Sequence, residues 1–185
     1  MRTSSIAAFA LLITAGPAFA QGSSDFSSTA SGVISIGKTY DDEGQIGSGP
    51  LFGARIDRRL FGNTFIEGSL DNLGHDRSDR FVATGHTTLI SASLIQRFGS
   101  TAAQPYVLGG VALAHHTGTA GFPELGIVNE TSSTDPGVLF GGGIAIPIAR
   151  RLEIGPEARF YTLRADEGSS PAFAYWFGVR VGVRF

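Results

Sequence analysis

Hydrophobic and polar residues alternate with a period of two along most of the chain after residue 20. The last segment shows this pattern best. One face carries Tyr175, Phe177, Val179, Val181, Val183 and Phe185, and the other carries Trp176, Gly178, Arg180, Gly182 and Arg184. Because alternate residues of a β-strand point to opposite faces, the pattern predicts a strand with one apolar face and one charged or small face. After residue 20, no stretch stays apolar over the roughly 18 residues of a membrane-spanning helix.

The same alternation predicts eight strands of about ten residues each. They cover approximately residues 31–40, 52–60, 66–71, 90–98, 104–115, 138–148, 152–161 and 175–185. The faces of the fifth strand remain unassigned, because both are nearly apolar. In the seventh strand Pro156 has no amide hydrogen to donate, so we expect a bulge or a weakened pair there.

The connections between these strands alternate in length. Short connections fall at residues 61–63, 99–103 and 149–150, whereas longer polar ones fall at 41–49, 74–86, 116–136 and 164–171. Strands of about ten residues with short turns at one end and long loops at the other are typical of outer-membrane barrels. The predicted fold is therefore an all-β, eight-stranded antiparallel up-and-down barrel that spans a membrane.

A barrel in lipid turns its apolar side chains outward and keeps its polar ones inside. Eight strands leave a lumen just wide enough for side chains to fill. We therefore expect the charged faces to form arginine–carboxylate pairs in the lumen, with glycines making room for them. The candidate residues are Arg55, Asp57, Arg59, Glu67, Asp71, Arg97, Glu153, Glu157, Arg159, Arg180 and Arg184.

Periodicity alone leaves one alternative open, because a soluble β-sandwich or a lipocalin-like carrier also alternates. The connection lengths, the aromatic residues near strand ends and the terminal Phe185 favour lipid. Composition excludes other classes. The chain of 185 residues has no cysteine and a formal net charge of -2, which argues against disulfides, thiolate metal sites and nucleic-acid binding.

The N-terminus is typical of a secretory signal peptide. A basic start is followed by a short apolar run over residues 6–14, a Gly16-Pro17 break and the small residues Ala18 and Ala20. We predict a signal peptide over residues 1–20 that is cleaved after Ala20, a periplasmic lead-in over 21–30 and a barrel domain over 31–185. An uncleaved amphipathic helix is the alternative for the first segment.

Residues 147–161 are similar to the penultimate hairpin of the small eight-stranded outer-membrane β-barrels of Gram-negative bacteria, and residues 175–185 resemble their C-terminal assembly signal. That family includes the transmembrane domain of outer membrane protein A and the opacity-type surface proteins. The resemblance implies an outer-membrane location and recognition by the barrel-assembly machinery through Val181, Val183 and Phe185. Arg180 departs from the pattern, since a glycine is usual at that position.

The sequence favours a non-enzymatic barrel without a cofactor, which serves envelope structure or surface interaction through its extracellular loops. Its expected partners are outer-membrane lipid, lipopolysaccharide and an extracellular ligand of the loops. A small pore is one alternative. Another is a lipid A-modifying enzyme. His115 and Thr117 share a strand face and resemble the His-x-Ser pair of the outer-membrane lipid A deacylases, which are also eight-stranded barrels, except that threonine replaces the serine. The histidines could also bind a metal with Glu124, Glu130 or Asp135, although nothing in the sequence fixes their geometry.

Overall fold

Eight strands close into one antiparallel barrel in which the strands follow each other in sequence order. The computed structural model describes residues 27–41, 44–78, 82–99, 103–122, 127–163 and 173–185. The strands are β1 (Ser28–Asp41), β2 (Gly44–Phe61), β3 (Thr64–Ser78), β4 (Val82–Arg97), β5 (Gln104–Phe122), β6 (Ile127–Pro147), β7 (Leu152–Leu163) and β8 (Phe173–Arg184). β1 pairs with both β2 and β8, which closes the barrel. The predicted all-β, eight-stranded up-and-down architecture is confirmed.

The barrel exterior is apolar and its interior contains the charged residues. On the outer face Ile36 is 72% exposed and Phe177 is 64% exposed, whereas Arg55 and Arg159 in the lumen are 3% and 0% exposed. A soluble sandwich or carrier would bury Ile36 and Phe177, so that alternative is wrong. Among the described residues, none forms a helix long and apolar enough to cross a membrane.

The strands extend well beyond the predicted bounds at the end with the long connections, which we call the long-hairpin end. β2 already begins at Gly44, β5 continues to Phe122 and β6 begins at Ile127. Much of the predicted loops 41–49, 74–86 and 116–136 is therefore paired strand. The reason is physical: outside the hydrocarbon an outer face need not be apolar, so the alternation fades while the backbone hydrogen bonds continue. The predicted connection 164–171 lies outside the described residues.

The opposite end, which we call the short-turn end, has compact connections. β2 and β3 are joined by Gly62 and Asn63, and Gly62 has a positive φ of 50°, which favours glycine. β1 starts at Ser28 rather than at the predicted residue 31. Its extra pairs include hydrogen bonds from Ser28 N to Phe185 O (3.1 Å) and from Phe185 N to Ser28 O (2.9 Å). These bonds join the start of the barrel to its C-terminal residue.

Two local expectations are resolved by the structure. In β5, Tyr106, Leu108, Ala112 and Ala114 point into the lumen, so this strand is apolar on both faces because its inner face contacts other apolar side chains. At Pro156, the β6–β7 ladder runs from Gly143–Glu157 to Ile146–Ile154 without a change of register. The proline therefore weakens the pairing locally and forms no bulge.

Candidate functional site

The lumen contains a layer of nine buried charged residues, which we call the ionic layer. Its members come from β2, β3, β4, β7 and β8, and each is at most 6% exposed. They are Arg55, Asp57, Glu67, Asp71, Arg97, Glu153, Glu157, Arg159 and Arg180. Their positions follow from the strand period of two, since residues such as Asp57, Glu67 and Arg159 lie on inward-facing positions.

Arg159 connects two carboxylates at one side of the ionic layer. Its Nε donates to Glu157 Oε1 over 2.8 Å, and one of its terminal nitrogens donates to Glu67 Oε1 over 2.7 Å. Arg55 also donates to Glu157, and it contacts Asp71 over 3.2 Å. Each of these carboxylates therefore has an arginine partner in a region closed to water.

Arg180 and Arg97 continue the same chain of ion pairs. Arg180 donates to Glu67 over 3.1 Å and also to Asp57. Arg97 approaches Asp57 over 3.5 Å and Glu153 over 3.3 Å. The result is one unbroken path of alternating sign, in the order Asp71, Arg55, Glu157, Arg159, Glu67, Arg180, Asp57, Arg97 and Glu153.

Glycines leave space for the long charged side chains. A Cβ added at Gly141 would collide with the carbonyl oxygen of Ala158 and lie 3.1 Å from Arg159 Cγ, and one added at Gly182 would lie 2.9 Å from Thr29 Cγ2 and 3.2 Å from Glu153 Cγ. Larger residues at these positions would press on the stems of the ion pairs. The small residues in the charged faces therefore have a packing role.

Two of the predicted lumen residues lie at the short-turn end, outside this path. Arg184 donates to the carbonyl oxygens of Ala149 and Arg150 over 3.4 Å each. The guanidinium of Arg59 lies 5.6 Å from the ring centroid of Phe65, a distance at which cations are attracted to aromatic rings. Both arginines are half-buried on the side of their strands that faces the lumen.

Above the ionic layer, toward the long-hairpin end, the lumen is filled by an apolar layer. Its members are Leu51, Leu73, Leu89, Leu139, Tyr161 and Trp176, each at most 3% exposed. Leu73 and Tyr161 each lie two residues beyond an ionic-layer residue on the same strand. Gly37 provides room opposite, since a Cβ there would lie 3.2 Å from Leu73 Cδ1. Sequence reasoning missed this layer, although Leu51, Leu73 and Leu89 occupy the inward-facing positions of their strands.

A polar cluster lies further toward the long-hairpin end, and we call it the mouth cluster. Thr87 Oγ1 and His116 Nδ1 are 2.8 Å apart, His116 Nε2 lies 3.7 Å from Asp135 Oδ2, and the Ser133 hydroxyl donates to Asp135 over 2.9 Å. Thr87 is buried, and His116 and Asp135 are partly exposed.

The arrangement differs from the one considered from sequence. His115 and Thr117 are both exposed and point away from the lumen side of β5, and His115 Nδ1 lies 2.8 Å from Thr134 Oγ1. The hydroxyl and carboxylate near a histidine are instead Thr87 and Asp135. Sequence reasoning missed Thr87 and considered Asp135 only as a metal ligand, because these residues come from β4 and β6 and only the strand register brings them to His116. Within the described part of the chain, no three histidine, aspartate or glutamate side chains are grouped to hold a metal ion.

Taken together, these features define an integral membrane β-barrel with a filled lumen. A closed sheet leaves no unpaired backbone edge in hydrocarbon, and the apolar exterior faces lipid. The chain belongs to the outer membrane protein beta-barrel domain family, whose sequence model matches residues 5–185. It is therefore an outer-membrane protein. None of the curated protein sequences compared with this chain matches it.

Solved structures support the same fold. Neisserial surface protein A superposes with a TM-score of 0.65 at 14% identity, covering 85% of this chain and 97% of its own. Ail of Yersinia pestis gives a TM-score of 0.57 at 12% identity, with 85% and 99% covered. The outer membrane enzyme PagL gives 0.51 at 15% identity, with 85% and 99% covered. At these identities the likeness concerns the fold alone.

Proposed function

We propose that this protein is a non-conducting, non-enzymatic outer-membrane barrel that serves envelope structure or surface interaction through its long-hairpin end. One observation carries the proposal: the ionic layer and the apolar layer both cross the lumen, and their residues are at most 6% exposed. With the lumen committed to packing, the hairpin ends are the part of the molecule left for binding.

The charge of the hairpin ends indicates the chemistry of their partners. Residues 38–50, 74–88, 115–137 and 161–174 together contain four basic and ten acidic side chains. Ail has been solved with the heparin analogue sucrose octasulfate, which is a polyanion. The acidic balance of this chain instead favours a cationic partner, or lipopolysaccharide phosphates that are bridged by divalent cations.

Planar-bilayer recording of the purified, refolded protein tests the filled lumen. We expect no steady conductance steps, because ions would have to cross both lumen layers. The double variant Leu51→Ala, Leu73→Ala serves as a comparison, since it opens space in the apolar layer. Large steady steps from the wild-type protein would contradict the proposal and support the pore alternative.

Adhesion of cells that display the protein tests the hairpin ends. We expect stronger attachment to a polylysine-coated surface than to a heparin-coated one. Replacing the acidic residues of the first hairpin in the variant Asp41→Asn, Asp42→Asn, Glu43→Gln should reduce this preference. An unchanged or reversed preference would argue against charge-based surface interaction.

The mouth cluster supports a second candidate function, hydrolysis of a lipid ester. Thr87 and His116 are within hydrogen-bond distance, and Asp135 lies 3.7 Å from the other ring nitrogen of His116, so the cluster contains the hydroxyl, base and carboxylate from which an activated nucleophile is built. Mass spectrometry of lipid A from cells that express the wild type, the His116→Gln variant or an empty vector decides this. Lipid A that is identical in all three rules the enzyme out, and a change that needs His116 replaces the main proposal.

Two further proposals concern the route to the membrane. Val181, Val183 and Phe185 point outward at the end of β8, which supports their role as an assembly signal for the barrel-assembly machinery. A Phe185→Ser variant should reach the outer membrane in smaller amounts than the wild type, by immunoblot of membrane fractions. The leader over residues 1–20 is tested by N-terminal sequencing of the mature protein, which should begin at Gln21.

A further inference from the structure

Arginines are concentrated at the short-turn end of the barrel. We call this group the basic rim, and it consists of Arg58, Arg59, Arg150, Arg151 and Arg184. Arg150 and Arg151 are exposed in the β6–β7 turn, and Arg58 is exposed on the outer face of β2. The described acidic side chains nearest to the rim are Asp57 and Glu153, and both are buried against Arg97. Asp25 precedes β1 in the sequence and lies outside the described residues.

The basic rim lies directly beside the edge of the apolar exterior. Leu60, Phe61, Phe98, Ile148 and Phe185 are all exposed around this end, and Phe61 is the most exposed at 70%. Aromatic residues near strand ends, here Phe61, Phe98 and Phe185, are typical of the girdle at the boundary between hydrocarbon and head groups. The guanidinium groups are therefore placed at head-group height.

Arg58 supports this placement in a specific way. It lies between Ile56 and Leu60 on the lipid-facing side of β2, where a charged residue is unusual. Its long aliphatic stem can cover apolar surface while its charged group reaches the polar boundary. Arg58, Arg59 and Arg184 also have contacts within the protein, and the exposed Arg150 and Arg151 add to the positive charge of the rim.

The two ends of the barrel have opposite charge. The long-hairpin end has an excess of acidic residues, as described above, whereas the basic rim holds five arginines. Short turns of outer-membrane barrels face the periplasm. This orientation brings the rim to the phospholipid leaflet and keeps the acidic end at the cell surface.

We propose that the basic rim binds the phosphate groups of anionic phospholipids in the periplasmic leaflet. Arginine is suited to this role because its planar guanidinium donates two parallel hydrogen bonds to phosphate oxygens. The rim then holds a shell of anionic lipid around the short-turn end and fixes the height of the barrel in the membrane.

Spin-labelled lipids in bilayers that contain the refolded protein test the proposal. The measurement is the fraction of motionally restricted lipid for labelled phosphatidylglycerol relative to labelled phosphatidylcholine. We expect a several-fold preference for phosphatidylglycerol that falls as salt is raised, because salt screens exposed charges. In the triple variant Arg58→Gln, Arg150→Gln, Arg151→Gln the ratio should fall toward one.

Three controls separate the effect of the rim charges on lipid preference from misfolding and from loss of charge elsewhere in the barrel. Unheated and boiled gel mobility reports whether each variant is folded, and the matching triple arginine-to-lysine variant should retain most of the preference. Lys38→Gln at the other end should leave the ratio unchanged. The proposal is overturned if the wild type shows no preference, if the glutamine triple variant keeps it, or if lipid A associates with the rim more strongly than phosphatidylglycerol does.

Discussion

The ionic layer and the apolar layer fill the same lumen by different means. In the ionic layer, four arginines and five carboxylates form an unbroken path of ion pairs. In the apolar layer, leucines and two aromatic rings fill the space without charge. The ionic layer thus requires neighbouring groups of opposite charge in the right orientation. The apolar layer requires only side chains that fill its volume.

Comparison of the two layers shows how the charges tolerate burial. Buried ions are expensive unless each is paired and hydrogen-bonded, and their attraction strengthens when water is excluded. The apolar layer excludes water from the long-hairpin side. On the short-turn side Phe65 covers the ions, with the Arg97 guanidinium 4.5 Å from its ring centroid. The ionic layer is therefore enclosed from both ends of the barrel.

Removing one central carboxylate should give the largest loss of stability. Glu157 accepts hydrogen bonds from Arg55, Arg159 and Tyr106, so Glu157→Leu leaves two buried arginines short of a partner. We expect the free energy of unfolding to fall by roughly 3–5 kcal/mol, as measured by urea unfolding in lipid vesicles. Glu130→Leu on the exposed part of β6 is the matched control. An unchanged urea midpoint for Glu157→Leu would contradict the enclosed ion-pair network.

A cavity in the apolar layer should give a somewhat smaller loss. Leu73 is 1% exposed and reaches toward Gly37, so Leu73→Ala removes packing that its neighbours cannot easily replace. We expect a loss of about 3 kcal/mol by the same urea measurement. Leu73→Met keeps most of the volume and should stay within about 1.5 kcal/mol of the wild type. Equal losses for both variants would mean that volume is not what this layer requires.

The two layers also differ in how far the sequence could predict them. The strand period of two predicted that Arg55, Glu67 and Arg159 face the lumen, because they alternate with apolar residues and charged side chains are costly in hydrocarbon. Leu73 and Leu139 gave no such signal, since a leucine is compatible with either face. Their inward direction follows only when the register of the whole barrel is known.

The mouth cluster shows a second limit of sequence reasoning. His115 and His116 are adjacent in the chain, but adjacent residues of a strand point to opposite faces. The partners of His116 are Thr87, which lies 29 residues before it in the chain, and Asp135, which lies 19 residues after it. Such contacts depend on cross-strand register, which the alternation pattern does not specify. The strand ends near Gly44 and Phe122 were missed for a related reason. Strand segments that extend beyond the membrane have no apolar face, so the alternation pattern does not show them.

One hydroxyl that is bonded to the ionic layer and one that lies in the apolar layer provide the most direct comparison and the smallest expected change. Tyr106 donates a hydrogen bond to Glu157 over 2.7 Å, whereas the buried Tyr161 hydroxyl has no hydrogen-bond partner among the described residues. Tyr106→Phe should therefore cost about 1.5–3 kcal/mol, because hydrogen bonds to charged groups are the stronger ones. Tyr161→Phe removes a buried hydroxyl that makes no hydrogen bond to a described residue, so it should leave the urea midpoint unchanged or slightly raised. If the two variants lost the same stability, the distinction between a layer that depends on polar partners and one that depends on volume would fail.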